Sequence, residues 1–431
     1  NGSDISYGLR LSGDLKQIEF INNGSINNRG SFYTSGYGIY NENGSIGALT
    51  NSGIMYVSYL IYNFGNDSGT SSIESITNSG WLFGGSDGIC NRADSGTSSI
   101  TSIINSGNIY GSTNGILNFS KNSGTSSITS IINSGSINSG VYSISNEISN
   151  SGTSSIGNIT NSGNIGVSSS GSGIVTSSNT SIGNITNSGN IRGITLWKDS
   201  SIGNITNSGV ILKIENNEGT IEEIDNYGLI VGKETDAIRG DGVDSITNNG
   251  LIFKFDKDKY TAKDESDFGK FGTTTADVEV TVGYDESSKP IIEKYTIINA
   301  KAKNKDKDDM QGTESLTLEE GKLSYKDCDG AAKEENIDST KKYILNGIAD
   351  TLLVKAGENK LDNSIINAYG TAVKFDNDGG NLTLTGTVVN GGADKTSNSI
   401  SGNNGVDNLT LEKGTIINGK INMGAGTDTL T

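Results

Sequence analysis

A repeated stretch decides the fold: residues 97–124 read TSSITSIINSGNIYGSTNGILNFSKNSG, and residues 125–152 read TSSITSIINSGSINSGVYSISNEISNSG. Both copies contain two Ile residues three apart, the triplet Asn-Ser-Gly, an Ile directly after the triplet's next residue, and a third apolar segment further on. Each copy therefore predicts three short apolar segments that are separated by polar turns.

The triplet Asn-x-Gly marks this repeat along the first 250 residues. It begins at Asn51, Asn78, Asn105, Asn133, Asn161, Asn187, Asn207, Asn226 and Asn248. The intervals are 26 to 28 residues long at first and 19 to 22 residues later. Helical repeats would show a period of 3.6 residues and strong helix formers, whereas Ile, Ser, Thr, Asn and Gly dominate here. We therefore predict an all-β fold, a right-handed parallel β-helix, in about residues 17–252 and again in 346–431.

Specific positions in each turn of this β-helix have predicted roles. Ile103, Ile131, Ile159 and Ile185 should face the core and form a ladder along the axis. The Asn of each triplet should hydrogen-bond to the next Asn amide, and Gly or Asn should take the left-handed backbone of a sharp corner. We interpret these asparagines as structural rather than as ligand-binding residues.

A second repeated segment is the Ser/Thr-rich loop of residues 67–72, which recurs at 94–99, 122–127 and 150–155. It occurs where the repeat is long and shortens where the repeat is short. We therefore expect the longer turns to carry an extra excursion on one edge, with a Ser/Thr strip along the outside. Local turn hydrogen bonding accounts for such a strip without a partner.

Charge divides the chain into unlike parts. Residues 1–210 hold 7 of the 32 Lys and Arg and 10 of the 49 Asp and Glu, so the net charge is −3 there and −14 in the remainder. The repeat fails after about Leu251, and alternating Val278, Val280 and Val282 predict one strand of a β-hairpin. We predict an N-terminal β-helix in 1–252, with an edge or cap in about 1–50, a charged side domain or excursion in 253–345, and further β-helix turns in 346–431.

Composition removes many functions. The chain has no His, which excludes the Ser-His-Asp and Cys-His systems and His-containing zinc sites. Cys90 and Cys328 are too far apart in sequence to indicate a disulfide framework or a metal site, and one Gly-x-Gly-x-Asp copy at 424–428 is too little for a calcium site. We expect no catalytic residues, no metal and no cofactor.

Net charge and hydropathy restrict the partners. A net charge of −17 disfavours nucleic acid and anionic membranes, because phosphate contacts need clustered Lys and Arg. No apolar stretch is long enough to span a bilayer, so we expect no membrane insertion by this chain. Because it begins with Asn1 rather than Met, we interpret it as a mature or excised fragment.

These features together resemble the passenger of a Gram-negative autotransporter of the type V secretion class. The resemblance covers nearly the whole chain and rests on the Ser/Asn/Thr/Gly-rich β-helical repeats, the scarcity of Cys, the irregular excursion, and the closing Gly-x-Gly-x-Asp-Thr-Leu-Thr of 424–431. It implies export to the cell surface or secretion, with a signal peptide and a translocator barrel outside this sequence. No complete autochaperone segment is visible.

The resemblance implies a non-enzymatic adhesin that binds a glycan or protein receptor on host or bacterial surfaces. The first alternative is a toxin-like or self-associating passenger. A polysaccharide-acting enzyme is a less favoured alternative.

Aromatic side chains are the candidate ligand-binding residues. One group is crowded near the N-terminal edge and could stack on sugars, anchor a protein or cap the solenoid, and we favour the cap. A second group lies in the excursion 253–345, where dense charge and irregular loops favour recognition. The candidate residues are Tyr33, Tyr37, Tyr40, Tyr56, Tyr59, Tyr62, Tyr260, Tyr284 and Tyr295.

Overall fold

The computed structural model describes residues 7–12, 19–22, 25–27, 37–166, 172–233, 236–256, 259–262, 275–285, 287–303, 310–312, 315–327, 329–392 and 397–431. The described residues form strands, turns and bends, with no helix. They build two stacks of parallel strands, which we call the first solenoid (7–256) and the second solenoid (290–431).

Among the described residues, the first solenoid contains thirty strands and is followed by one antiparallel strand. They are β1 Tyr7–Ser12, β2 Glu19–Asn22, β3 Ser25–Asn27, β4 Tyr37–Glu42, β5 Ser45–Asn51, β6 Ile54–Val57, β7 Tyr59–Asn66, β8 Thr70–Asn78, β9 Trp81–Gly84, β10 Asp87–Asp94, β11 Thr97–Asn105, β12 Asn108–Gly111, β13 Asn114–Lys121, β14 Thr125–Asn133, β15 Ser136–Ser139, β16 Tyr142–Ser149, β17 Thr153–Asn161, β18 Asn164–Ile165, β19 Ser172–Thr176, β20 Ser181–Asn187, β21 Asn190–Ile191, β22 Ile194–Leu196, β23 Ser201–Asn207, β24 Val210–Ile211, β25 Ile214–Asn216, β26 Thr220–Asn226, β27 Leu229–Lys233, β28 Ile238–Arg239, β29 Val243–Asn248, β30 Leu251–Asp256 and β31 Lys259–Ala262.

Every third strand joins the same sheet, so each rung contributes one strand to each of three sheets. Sheet A runs β1-β4-β7-β10-β13-β16-β19-β22-β25-β28, sheet B runs from β2 through β5 to β29, and sheet C runs from β3 through β6 to β30 and then β31. Neighbouring strands from β1 to β30 pair in parallel and in register; for example, Ile103 of β11 pairs with Ile131 of β14. This confirms the predicted parallel β-helix.

The core of the first solenoid is a set of apolar ladders. Ile103, Ile131, Ile159 and Ile185 are fully buried in it, as predicted. In sheet C, the apolar residue that follows each triplet forms a second ladder, for example Ile109 on Ile137. Since each ladder places similar side chains at the same position of successive rungs, the packing of one rung recurs along the axis.

The triplet asparagines form the predicted amide ladder. Asn105 Nδ2 donates to Asn133 Oδ1 at 2.7 Å and to the Gly107 carbonyl at 3.1 Å. The same pattern extends from Asn51 to Asn248. From Asn51 to Asn226 each amide is thus paired both along the ladder and within its own corner, which offsets its desolvation, whereas Asn248 at the end only accepts from Asn226.

The reason for glycine in the triplet differs from the prediction. Gly80, Gly107 and Gly135 do not have a left-handed φ. A Cβ on Gly135 would instead lie 2.1 Å from the carbonyl oxygen of Gly107 in the rung before, so close approach of the backbones requires glycine. The left-handed residues are at another corner, between sheets A and B, for example Asn122 with φ 54° and Asn150 with φ 70°.

The Ser/Thr-rich segment is only partly an outside strip. Thr97 and Thr125 are exposed, but Ser98 and Ser126 are fully buried. The longer rungs also differ from the prediction, because their extra residues lengthen strands. In one long rung β12, β13 and β14 have 4, 8 and 9 residues, whereas β21, β22 and β23 in a short rung have 2, 3 and 7.

The second solenoid and its entry hairpins contain the remaining strands. They are β32 Thr275–Tyr284, β33 Pro290–Asn299, β34 Lys301–Lys303, β35 Met310–Gly312, β36 Leu316–Glu319, β37 Lys322–Lys326, β38 Ala332–Asn336, β39 Tyr343–Asn346, β40 Asp350–Val354, β41 Glu358–Asp362, β42 Ile365–Asn367, β43 Thr371–Phe375, β44 Gly380–Thr385, β45 Val388–Asn390, β46 Ile400–Asn403, β47 Asp407–Leu411, β48 Ile416–Asn418, β49 Ile421–Gly424 and β50 Thr429–Leu430.

These strands form three larger sheets and one two-stranded pair. Sheet D is β32-β33-β39-β42-β45-β48, sheet E is the pair β34-β35, sheet F is β38-β37-β36-β40-β43-β46-β49, and sheet G is β41-β44-β47-β50. The predicted hairpin exists as β32 and β33. Because β33 pairs in parallel with β39, and β36 with β40, part of the stretch 253–345 is built into the second solenoid.

The second solenoid folds back along the first. Its own buried asparagines end the strands of sheet D and donate to carbonyl groups at the corner between sheets B and C. These contacts are Asn299 to Asn249, Asn346 to Tyr227, Asn367 to Ser208, Asn390 to Ser188 and Asn418 to Ser162, at 2.8 to 3.0 Å. As residue numbers rise in one solenoid they fall in the other, so the two axes run antiparallel.

Candidate binding surface

Aromatic side chains cluster on the outer surface of sheet A. In β4, Ile39 and Asn41 are buried inside the solenoid, whereas Tyr40 between them is half-buried. Since side chains alternate along a strand, Tyr40 projects outward. Tyr62 of β7 is in register with Tyr40, so the rings lie above one another on adjacent rungs.

The rings contact one another rather than standing alone. The centroids of Tyr40 and Tyr62 are 5.6 Å apart with an interplanar angle of 13°, and those of Tyr37 and Tyr59 are 5.2 Å apart at 25°. Tyr37 also meets Tyr62 edge-on at 5.0 Å. The strand β1 of a further rung pairs with β4, so these rings lie on the side of the stack rather than closing its end, contrary to the favoured cap.

An arginine extends this cluster along the next rungs. The guanidinium of Arg92 lies 5.8 Å from the ring centroid of Phe64 and 5.2 Å from that of Phe119, which are its neighbours in register. Arg92 Nε and Nη2 each donate to Asp94 at 2.8 Å, and these hydrogen bonds raise the pKa of Arg92. The guanidinium is therefore held between two rings.

We call this surface the aromatic face and define it by its seven side chains. They are Tyr37, Tyr40, Tyr59, Tyr62, Phe64, Arg92 and Phe119. Most are half-buried, and Tyr62 is buried, which raises the pKa of its hydroxyl. The face is preformed, because its side chains are fixed by stacking on the rungs above and below.

A buried carboxyl group lies in β10, at the border of the aromatic face. Asp87 Oδ1 accepts a hydrogen bond from Asn114 Nδ2 at 2.9 Å, and burial raises the pKa of Asp87. In the unfolded chain an Asp has a pKa of about 3.9. The unfolded state therefore loses this proton at a lower pH than the folded state, and folding is weakened as the pH rises through that interval.

We expect Asp87→Asn to stabilise the protein at pH 7 by about 1 kcal/mol. The substitution removes a buried charge, and the oxygen of the new amide can still accept the hydrogen bond from Asn114 Nδ2. The gain should shrink at about pH 3.5, where most of the wild-type carboxyl is protonated. Urea unfolding at both pH values measures it, with Asp199→Asn at an exposed turn as the control. An equal gain at the two pH values would contradict the assignment.

Tyr56, another predicted site residue, belongs to a different surface. It stacks on Phe83 on the outer side of sheet C, with centroids 4.6 Å apart at 8°, and Phe83 stacks on Tyr110 at 4.7 Å and 17°. Tyr33 lies outside the described residues. Of the predicted N-terminal tyrosines, sheet A thus brings together four.

The predicted tyrosines of the excursion do not join the aromatic face. Tyr284 lies at the turn end of β32, in register with Pro290. Tyr295 is buried in an apolar cluster with Tyr227 and Val280, and its hydroxyl donates to Glu293 at 3.0 Å. Burial raises the pKa of the Tyr295 hydroxyl. Tyr260 lies in β31, opposite Phe255 in register.

A cleft of about 480 Å³ beside this hairpin is lined in part by Asp277, Glu279 and Lys294. Its charged groups pair with neighbours: Lys294 Nζ lies 3.6 Å from Glu279, and Asp277 accepts from Thr296 Oγ1 at 2.7 Å. Because these charged groups are already paired with their neighbours, none of the three is left unpaired for a charged ligand to bind.

Sequence reasoning missed a second asparagine ladder inside the first solenoid. It consists of Asn41, Asn63, Asn91, Asn118 and Asn146, all fully buried. Asn91 Nδ2 donates to Asn118 Oδ1 at 2.8 Å, and Ser98 Oγ donates to Asn91 Oδ1. The recurring pair Ile-x-Asn, as in Ile89 and Asn91, was the signal that could have revealed it.

The described residues contain no group of three or more His, Cys, Asp or Glu side chains that could hold a metal ion. Cys90 is a free, buried thiol whose pKa is raised by burial, and Cys328 lies outside the described residues. Within the same ranges no helix is long and apolar enough to cross a membrane.

The fold and this surface define a class: a double parallel β-solenoid with a preformed aromatic and arginine face. Comparisons with protein-family models, with curated proteins and with solved structures find no match to this chain.

Proposed function

We propose that this protein is a non-enzymatic adhesin. In this proposal it is an autotransporter passenger on the surface of a Gram-negative bacterium, or released from it, and its aromatic face binds a receptor on a host or bacterial surface. The observation that carries the proposal is the aromatic face, in which tyrosines, phenylalanines and a stacked arginine are held on a rigid scaffold.

The composition of this face supports binding to a macromolecule. Tyr and Arg are enriched among the residues that dominate binding energy at protein interfaces. Their side chains lose less entropy on binding when they are already ordered, and here ring stacking and the Arg92–Asp94 hydrogen bonds order them.

A protein receptor fits the ring arrangement better than a glycan. Sugars stack on open ring faces, but Tyr40 and Tyr62 stack on each other, as do Tyr37 and Tyr59. Stacked rings offer their edges rather than their faces, and the half-buried rings of Tyr37, Tyr40 and Tyr59 suit the polar and apolar mixture of a protein surface.

The aromatic face also replaces the excursion 253–345 as the proposed recognition element. The hairpin of β32 and β33 packs against β17, β20 and β23 of sheet B, and Val280 and Tyr295 are buried there. Deleting the stretch would also remove the strands on which β39 and β40 are stacked. Loss of attachment after that deletion would therefore not identify a binding site.

We expect Tyr40→Ala with Phe64→Ala to weaken attachment of the purified chain to epithelial cells or bacteria at least tenfold, about 1.4 kcal/mol, since these rings are central to the face. Flow cytometry with labelled protein measures the attachment. Trp197→Ala, at an exposed aromatic residue after β22, is the matched control.

Pre-treatment of the cells distinguishes the receptor classes, because a protease should abolish attachment and glycosidases should not. Full attachment by the double variant, with unchanged thermal unfolding, would refute the proposal.

A further inference from the structure

The corner between sheets B and C forms the surface of the first solenoid against which the second solenoid packs. The second solenoid contacts only part of this corner. In its covered part, carbonyl groups such as that of Ser188 accept amides from the second solenoid. The flanking outer rows are buried: Val210, Leu229 and Leu251 of sheet C pack with Ile348 and Tyr369. This internal contact shows what kind of surface the corner accepts, namely amide donors flanked by apolar side chains.

The same corner continues in the earlier rungs, where no hydrogen bond joins it to the second solenoid among the described residues. Ser79, Ser106 and Ser134 occupy there the position that Ser162, Ser188 and Ser208 occupy in the covered part. The three earlier serines are exposed, and among the described residues their carbonyl groups meet no hydrogen-bond donor. We call this region, residues 51–57, 77–86, 104–113 and 132–141, the open face.

Large apolar side chains on the open face are unusually exposed. Trp81 is 57% exposed, Ile104 40% and Ile132 42%. They lie in the same rows as side chains that are buried further along: Trp81 is in the row of Val210, and Ile132 is in that of Thr186. The open face therefore repeats the rows of the covered interface, with larger apolar groups in place of a cover.

The open face also carries no charge. Its four segments contain no Asp, Glu, Lys or Arg, in a chain with 81 such residues. Of the net charge of −17, −14 lies in residues 211–431, so like-charge repulsion opposes contact between two copies through that part of the chain. Here like-charge repulsion is locally absent, so the surface can meet its own copy.

We propose that the open face binds the open face of a second copy, forming a two-fold symmetric dimer with antiparallel axes. A two-fold axis across the solenoid sets two identical ladders side by side with one common rung spacing. Within one chain the two solenoids already pack with antiparallel axes, through this corner on one side and the strand ends of sheet D on the other. Asn108, in the row where Asn190 donates to Asn418, supplies an amide donor for the partner's exposed carbonyl groups.

The size of the face sets the strength of this contact. Four rungs at ~4.8 Å by about eight residues at ~3.3 Å give on the order of 500 Å² per copy. The total of about 1,000 Å² is at the lower limit of specific interfaces, so the dimer should dissociate in the micromolar range. The aromatic face on sheet A is separate and stays available for a receptor.

Sedimentation velocity of the full chain at rising concentration tests the proposal. We expect a reversible monomer–dimer equilibrium. The double variant Ile104→Asp with Ile132→Asp should raise the dissociation constant of the dimer at least tenfold, because it buries carboxylates of both copies in the interface. Both positions are exposed, so the variant should keep its thermal unfolding. Trp197→Asp, away from the open face, should dimerise like the wild type.

Two outcomes would overturn the proposal. One is a wild-type chain that stays monomeric up to several hundred micromolar, and the other is an unchanged dimer in the double variant. If the wild type is monomeric and the double variant loses cell attachment, the open face binds a receptor instead. The proposed adhesin function is judged separately, by Tyr40→Ala with Phe64→Ala on the aromatic face.

Discussion

Ile131→Asp should unfold the first solenoid, whereas Ile132→Asp, one residue further along the same strand, should leave it folded. Ile131 is fully buried between Ile103 and Ile159 in register, and Ile132 is 42% exposed on the other side of sheet B. A carboxylate at position 131 would have apolar side chains above, below and opposite it. We expect a loss of at least about 4 kcal/mol, by burial of an unpaired charge and loss of the ladder contacts.

Far-UV circular dichroism and thermal unfolding of the two variants measure this difference. The pair is matched in chemistry and in sequence position, so β-propensity and net charge change equally in both. A melting temperature for Ile131→Asp close to that of Ile132→Asp would mean that the two side chains have exchanged sides. That result would contradict the register of the whole sheet, because a slip of one residue exchanges the two faces.

The Ile ladders could be predicted because they are written into the local sequence. Each rung repeats its apolar residues at fixed offsets from the triplet, and in-register stacking brings identical positions together. Ile103 and Ile131 therefore meet for the same reason that Asn105 and Asn133 do. Where each rung contacts mainly its neighbours, the repeat in the sequence is sufficient to predict these contacts.

The docking of the second solenoid could not be predicted in this way. Its contacts join residues far apart, as Asn367 to Ser208 and Asn418 to Ser162. The asparagines of sheet D look like ordinary strand-end residues in sequence, and no local period tells which corner they meet. The sequence shows that Tyr37, Tyr40, Tyr59 and Tyr62 are close together along the chain, but their sideways stacking depends on the register of β4 and β7.

The glycine of each triplet carries the second large effect: Gly135→Ala should be strongly destabilising. Its Cβ would lie 2.1 Å from the Gly107 carbonyl oxygen and 2.6 Å from the Ser106 carbonyl carbon, and both are backbone atoms that the ladder holds in place. The rungs would have to separate locally, which would stretch the hydrogen bond from Asn105 to Asn133. We expect a loss of about 3 kcal/mol from this overpacking.

Gly193→Ala is the matched control, at a corner where the nearest atom to a new Cβ is the Lys213 carbonyl oxygen at 3.5 Å. There the substitution meets ordinary contact and reduces the entropy of the unfolded chain, so it should be neutral or stabilising by up to about 1 kcal/mol. Chemical unfolding of both variants gives the comparison. If Gly135→Ala were as stable as Gly193→Ala, close approach between rungs would not be the reason for the triplet glycine. The intolerance should recur at Gly107 and Gly163, since each faces the carbonyl oxygen one rung earlier at 2.0 to 2.1 Å.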